Sequence, residues 1–150
     1  MPAQRFSVSA RIPAPASVLY AILADYHQGH PQILPRPPFV SLVVEQGGTG
    51  AGTILRVQMR VLGQLQTFRA VVTEPEPGRV LVETNDTGSV TTFTVEPQVD
   101  GQQAQVTITT EMPARPGIRA ALERWALPHL LRPVYVRELA QLAALAASRA

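Results

Sequence analysis

Between residues 39 and 112 the chain is a succession of short segments in which apolar and polar residues alternate: FVSLVVEQ (39–46), GTILRVQMRVL (52–62), LQTFRAVVTE (65–74), RVLVET (79–84), VTTFTVE (90–96) and AQVTITTEM (104–112). Alternation with a period of two is the mark of a strand with one buried face. The gaps carry turn chemistry: Gly63-Gln64, the Pro-Gly pair of EPEPGR, NDTGS and Asp100-Gly101. Parallel neighbours need a crossover of a dozen or more residues, so connections this short predict an antiparallel meander. Glycine first in a two-residue loop suits a type II′ hairpin at Gly63-Gln64. Pairing Leu62 with Leu65 across it sets Met59 opposite Phe68, Val57 opposite Ala70 and Leu55 opposite Val72, which gives one apolar face and one mostly polar face.

Helical patterns flank the meander. RFSVSARI (5–12) alternates as a seventh strand, and Pro13 and Pro15 end it. Pro15 suits the first turn of a helix, where its missing N–H costs nothing. SVLYAILADY continues that helix with Val18, Leu19, Ile22 and Leu23 on its buried side, Gly29 stops it, and His30-Pro31 opens a short second helix ending at Pro35. The last third is helical: Ile118, Leu122, Trp125 and His129 form one stripe, and Tyr135, Leu139, Leu142 and Ala146 a second. Pro128 and Pro133 remove the bonds to the carbonyls of Arg124 and His129, which predicts a kink or break between the stripes.

With 150 residues, no internal repeat and no low-complexity linker, the chain reads as a single domain. It has no cysteine, which excludes disulfides, thiolate catalysis and cysteine-rich zinc sites. All 13 basic residues are arginine, which excludes a lysine Schiff base and the lysine of a phosphate-binding P-loop. The net charge of +2 is spread from Arg5 to Arg149, so no nucleic-acid footprint is expected. MPAQRFSVSARIP has no apolar core of a signal peptide and no run approaches a membrane span, which makes the cytoplasm the expected location.

Five features invite a functional reading. Asp25, His27 and His30 in DYHQGHP are metal-ligand types, but they straddle a glycine at a helix end, and a structural corner beside a cavity rim is expected instead of a metal. GGTGAG (47–52) precedes a strand and not a helix, so it lacks the helix N-terminus that attracts phosphate; it is expected to be a flexible connection, with a lid as its functional alternative. Met59, Phe68, Phe93, Met112 and Trp125 are core types, while the small inward residues Ala10, Val57, Ala70 and Thr110 leave room for a pocket among them. His129, on the stripe with Trp125, is either a kink-stabilising residue or an acid–base group facing a ligand. Gln66 is a second inward polar residue, placed to orient a ligand carbonyl.

The order strand, helix, short helix, six strands and long helix resembles the helix-grip fold of the START/Bet v 1-like (SRPBCC) superfamily, and within it the polyketide cyclase/dehydrase family. IPAPASVLYAILADYHQGHPQILP, GGTGAGTILRV and FTVEPQVDGQQAQVTITTEM carry the likeness, which spans the whole chain. The resemblance implies an α+β domain with a curved seven-stranded antiparallel sheet wrapped round the C-terminal helix, and a deep, mostly apolar cavity between them. It supplies no shared catalytic set, and the chain lacks the iron–sulfur ligands of the related oxygenase domains. The expected activity is binding or carriage of a small hydrophobic ligand (lipid, isoprenoid or polyketide-like) by Tyr26, Met59, Gln66, Phe68, Phe93, Thr110, Met112, Trp125 and His129. No cofactor or metal is implied, and the partner is a small molecule, not nucleic acid. The alternative is a cyclase/dehydratase-type enzyme with His129 as acid–base and Tyr26 or Gln66 polarising a carbonyl. A third reading is a protein-interaction module using the concave groove or the alanine-rich last helix.

Overall fold

The computed structural model describes residues 4–113 and 117–149, without the side chains of 119, 120 and 122–124 in the first turns of the last helix. The elements are β1 (Gln4–Ile12), α1 (Ala16–Ala24), α2 (Gly29–Ile33), β2 (Phe39–Gln46), β3 (Ile54–Val61), β4 (Gln64–Glu76), β5 (Val80–Asn85), β6 (Val90–Pro97), β7 (Ala104–Met112) and α3 (Ile118–Ser148). The strands form one antiparallel sheet in the order β1-β7-β6-β5-β4-β3-β2. β2 to β7 are therefore the expected meander, and β1 closes the far side beside β7. Because β1 and β2 occupy opposite edges, the chain must cross the width of the sheet between them, and α1 and α2 make that crossing.

Alternation puts one row of each strand on the inner face: Phe6 and Val8, Leu55 and Val57, Ala70 and Val72, Val106 and Ile108 are all buried there. α3 covers this face with Val134, Tyr135, Leu139, Leu142 and Ala146. The seven antiparallel strands expected from the pattern and the helix-grip arrangement implied by the resemblance are both present.

Two expectations are corrected. At the β3–β4 turn the pairs are Val61 with Gln64, Met59 with Gln66, Val57 with Phe68 and Leu55 with Ala70. The turn residues are thus Leu62 and Gly63, both at positive φ (52° and 77°). That is what a type I′ turn requires, and its twist matches that of the flanking strands. The displacement from the expected register is two residues, so every side chain keeps its face.

The second correction concerns α3, which runs through Pro128 and Pro133 as one helix of 31 residues. In an unbroken helix the stripe of Tyr135, Leu139, Leu142 and Ala146 continues back through Leu131 and Leu127, not through His129 and Trp125. At 3.6 residues per turn, Trp125 stands about 80° and His129 about 120° from Tyr135. Trp125 is accordingly 71% exposed, Ile118 is exposed and so is His129. The side chain of Leu122 lies outside the described residues.

Candidate functional site

The layer between sheet and α3 is not filled. It holds a cavity of about 500 Å³, within the ~300–1,000 Å³ range of small-molecule sites. Its walls come from Leu55, Val57, Met59 and Phe68 on the sheet and from Leu127 and Leu131 on the helix. The β3–β4 tip (Leu62, Gln64), the β5–β6 turn (Thr87, Ser89) and Pro113 line the end where residues become exposed, which is the mouth. His30, Glu83, Phe93, Tyr135 and Glu138 line the opposite, closed end.

The closed end is polar, and local backbone chemistry builds it. At the end of α1 the Asp25 carboxylate accepts the N–H groups of His27, Gln28 and Gly29 at 3.1, 3.2 and 3.2 Å, which turns the chain into α2. Gly29 sits so close to α1 that a Cβ there would lie 2.7 Å from the Ile22 carbonyl oxygen. This tight turn drives His30 inward, where it is 2% exposed. Its Nδ1 lies 2.7 Å from the Leu23 carbonyl. A carbonyl only accepts, so Nδ1 carries a proton and Nε2 faces the cavity. The ring stacks on Tyr26 (centroids 4.6 Å apart) and meets the Phe93 ring edge-on at 5.3 Å.

His30 Nε2 lies 3.7 Å from Glu83 and 3.9 Å from Glu138. Tyr26 donates its hydroxyl proton to Glu83 at 2.6 Å. Burial, with Glu83 beside it, holds the Tyr26 hydroxyl well above the ordinary tyrosine range, so it stays a donor. Glu138 is fully enclosed, and desolvation together with the neighbouring charge of Glu83 pushes its carboxyl well above the ordinary range. Burial also pushes Tyr135 up to about 12, and its hydroxyl pairs with Thr110 at 2.8 Å. Thr110 in turn lies 3.2 Å from Thr91, which gives a second polar strip along one wall. The site is thus a greasy chamber with an imidazole between two carboxylates at its base.

Of the residues expected to bind a ligand, Met59, Gln66, Phe68, Phe93, Thr110 and Met112 line the cavity. Tyr26 does not: it stands behind His30 and holds Glu83. Trp125 and His129 do not line it either; their rings tilt against each other 5.2 Å apart on the outside of α3. The expected position of His129 facing a ligand is therefore corrected, for the helical reason given above. The corner of Asp25, His27 and His30 divides: Asp25 serves backbone N–H groups, His27 is exposed, and His30 forms the base of the cavity, not its rim. Nor is GGTGAG a lid. Gly48 accepts the Tyr26 N–H, Gly50 donates to Ala24, and Glu74 ties Ala51 to Tyr20, so the loop is fastened to the end of α1.

Glu83 and Glu138 escaped the sequence reading, although both leave a trace. Glu83 shares the inward row of β5 with Leu81 and Asn85, and Glu138 sits inside the apolar stripe of α3, three residues after Tyr135. A charged residue on a buried row is the anomaly that marks such a site.

Fold and cavity together define a helix-grip protein: a curved antiparallel sheet closed on a long helix, with an internal chamber between them. The chain belongs to the family described as polyketide cyclase / dehydrase and lipid transport, whose family model matches residues 3–147. No curated protein sequence matches. Among solved structures it is similar to the KanY protein (TM-score 0.84, 22% identity, covering 98% of this chain and 99% of that one). It is also similar to the Zhui aromatase/cyclase from Streptomyces sp. R1128 (0.77, 18%, 98% and 95%). A START superfamily protein from Mycobacterium smegmatis shares the fold as well (0.72, 14%, 98% and 99%). No described helix is long and apolar enough to cross a membrane.

Proposed function

We propose that the protein binds a small, mostly apolar molecule, lipid, isoprenoid or polyketide-like, between the sheet and α3. The observation that carries this reading is the unfilled chamber of about 500 Å³ between the sheet and α3. Protein interiors normally leave few voids larger than a water molecule, and an empty one of this size is costly unless a guest occupies it. Family membership supports the same reading. Native mass spectrometry of the purified protein, followed by titration with the uncharged dye Nile red, tests it. A co-purified apolar ligand, or saturable one-to-one dye binding, is expected. Neither a ligand nor dye binding would overturn it.

A second reading, an enzyme of the cyclase or dehydratase type, is favoured by one observation: an imidazole held between two carboxylates at the closed end of the chamber. There His30 takes the place foreseen for His129, since Nε2 can take or give a proton while Nδ1–H stays on Leu23. His30→Asn, which keeps a donor for the Leu23 carbonyl, separates the readings. A carrier keeps most of its affinity. An enzyme keeps binding and loses roughly 100- to 10,000-fold in turnover.

A further inference from the structure

The chamber carries a charge pattern that restricts its guest beyond apolarity. Of the described residues lining it, the ionisable ones are His30, Glu83, Tyr135 and Glu138, and no arginine is among them. The described arginines on its walls turn away: Arg56, Arg60 and Arg69 alternate onto the exposed side of the sheet, and on α3 Arg132 and Arg137 donate to the backbone carbonyls of Ser7 and Pro37. Arg119 and Arg124 precede Glu138 by 19 and 14 residues on α3, which sets their backbone at least about 20 Å from the closed end. The base of the chamber is therefore two carboxylates and one imidazole, with the Tyr26 hydroxyl already donated to Glu83. A single mobile proton on this trio, whether on Nε2 or on a carboxyl, leaves a net charge of −1. A second proton brings it only to zero.

We propose, building on the binding role above, that the closed end selects the inward head group of the guest: an alcohol, phenol or amine is accepted, whereas a carboxylate or phosphate is refused. A hydroxyl or ammonium group donates to Glu138 or Glu83, and so replaces the water those oxygens lose. An anion placed there meets like charge with no guanidinium among the described lining residues to offset it, inside walls that screen poorly. Turning an anionic lipid round does not relieve this, because its terminal methyl then desolvates the carboxylates and pairs with nothing.

Calorimetric titration with dodecanol, dodecylamine and dodecanoate, each below its solubility limit or micelle concentration near neutral pH, tests this head-group rule. Dodecanol and dodecylamine are expected to bind, and dodecanoate at least about ten-fold more weakly. In Glu138→Gln and Glu83→Gln the gap between dodecylamine and dodecanoate should narrow. Dodecanoate binding as tightly as dodecanol would overturn the head-group rule while leaving apolar binding intact. A gap of unchanged size in both variants would overturn the assignment to these carboxylates. Binding by none of the three would overturn the binding role itself.

Discussion

At the scale of single residues, the closed end of the chamber is where this fold departs from a plain apolar core. Glu138 is the sharpest case. Its carboxyl is raised above the ordinary 4.5 by burial and by Glu83, so above that pH the folded chain holds a proton that the unfolded chain has released. The folded state then binds more protons than the unfolded one, and stability must fall as pH rises through this window. His30, Glu83, Tyr26 and Tyr135 are the ionisable groups around it among the described residues, and Glu138→Gln removes its titration while keeping its shape. Urea midpoints measured from about pH 5 to about pH 8 should decline in the parent protein and decline less in the variant. An equal slope in both would place the titration elsewhere. Tyr26→Phe removes the donor to Glu83 and should cost about 1.5–3 kcal/mol, as for a hydrogen bond to a charged group. Trp125→Ala and His129→Ala, on the outer side of α3, should change stability by no more than about 0.5 kcal/mol and leave ligand affinity unchanged.

Among the elements, strands were legible and helical phase was not. Period-two alternation located all seven strands within two residues of their observed bounds, because an error of one position would have turned a whole row to solvent. The hairpin register missed by two residues for the same physical reason in reverse: a slip of two preserves every face, so pattern alone does not resist it, and turn geometry decides. For α3 the two prolines suggested a break, and a break permits any phase between the two stripes. Continuity of the helix permits only one, and it exchanged Trp125 and His129 for Leu127 and Leu131. His30 was hidden by a different cause, since its burial depends on the Asp25 turn and on the contact of Gly29 with Ile22, which no periodicity reports. The turn residue Leu62 is itself testable. It is 70% exposed and sits at φ 52°, a conformation that disfavours ordinary side chains and suits asparagine. Leu62→Asn should therefore raise stability by up to about 1 kcal/mol, read as a higher thermal midpoint with unchanged ellipticity. A lower midpoint would mean that Leu62 packs on the chamber mouth strongly enough to outweigh its backbone strain.

For the molecule as a whole, the question is whether the empty layer is a defect of packing or a place kept for a guest. The two differ in what happens when the space is filled from within. Ala70 is buried on β4 and lines the chamber opposite Leu55. Ala70→Phe would project a ring into that space and bury up to about 1.5–3 kcal/mol of apolar surface. If the chamber is as open as its volume implies, the variant should be at least as stable as the parent protein without ligand. A guest at 100 times its dissociation constant stabilises the parent by about 2.7 kcal/mol. At roughly 2–4 °C per kcal/mol for a chain of this size, that is about 5–11 °C in thermal midpoint. Ala70→Phe should abolish this shift for dodecanol while keeping the ligand-free midpoint level or higher. Two outcomes contradict the cavity reading. A variant destabilised by more than about 2 kcal/mol would show a layer already packed, since overpacking costs about 1–3 kcal/mol. A variant that keeps the full ligand shift would place the guest somewhere other than between the sheet and α3.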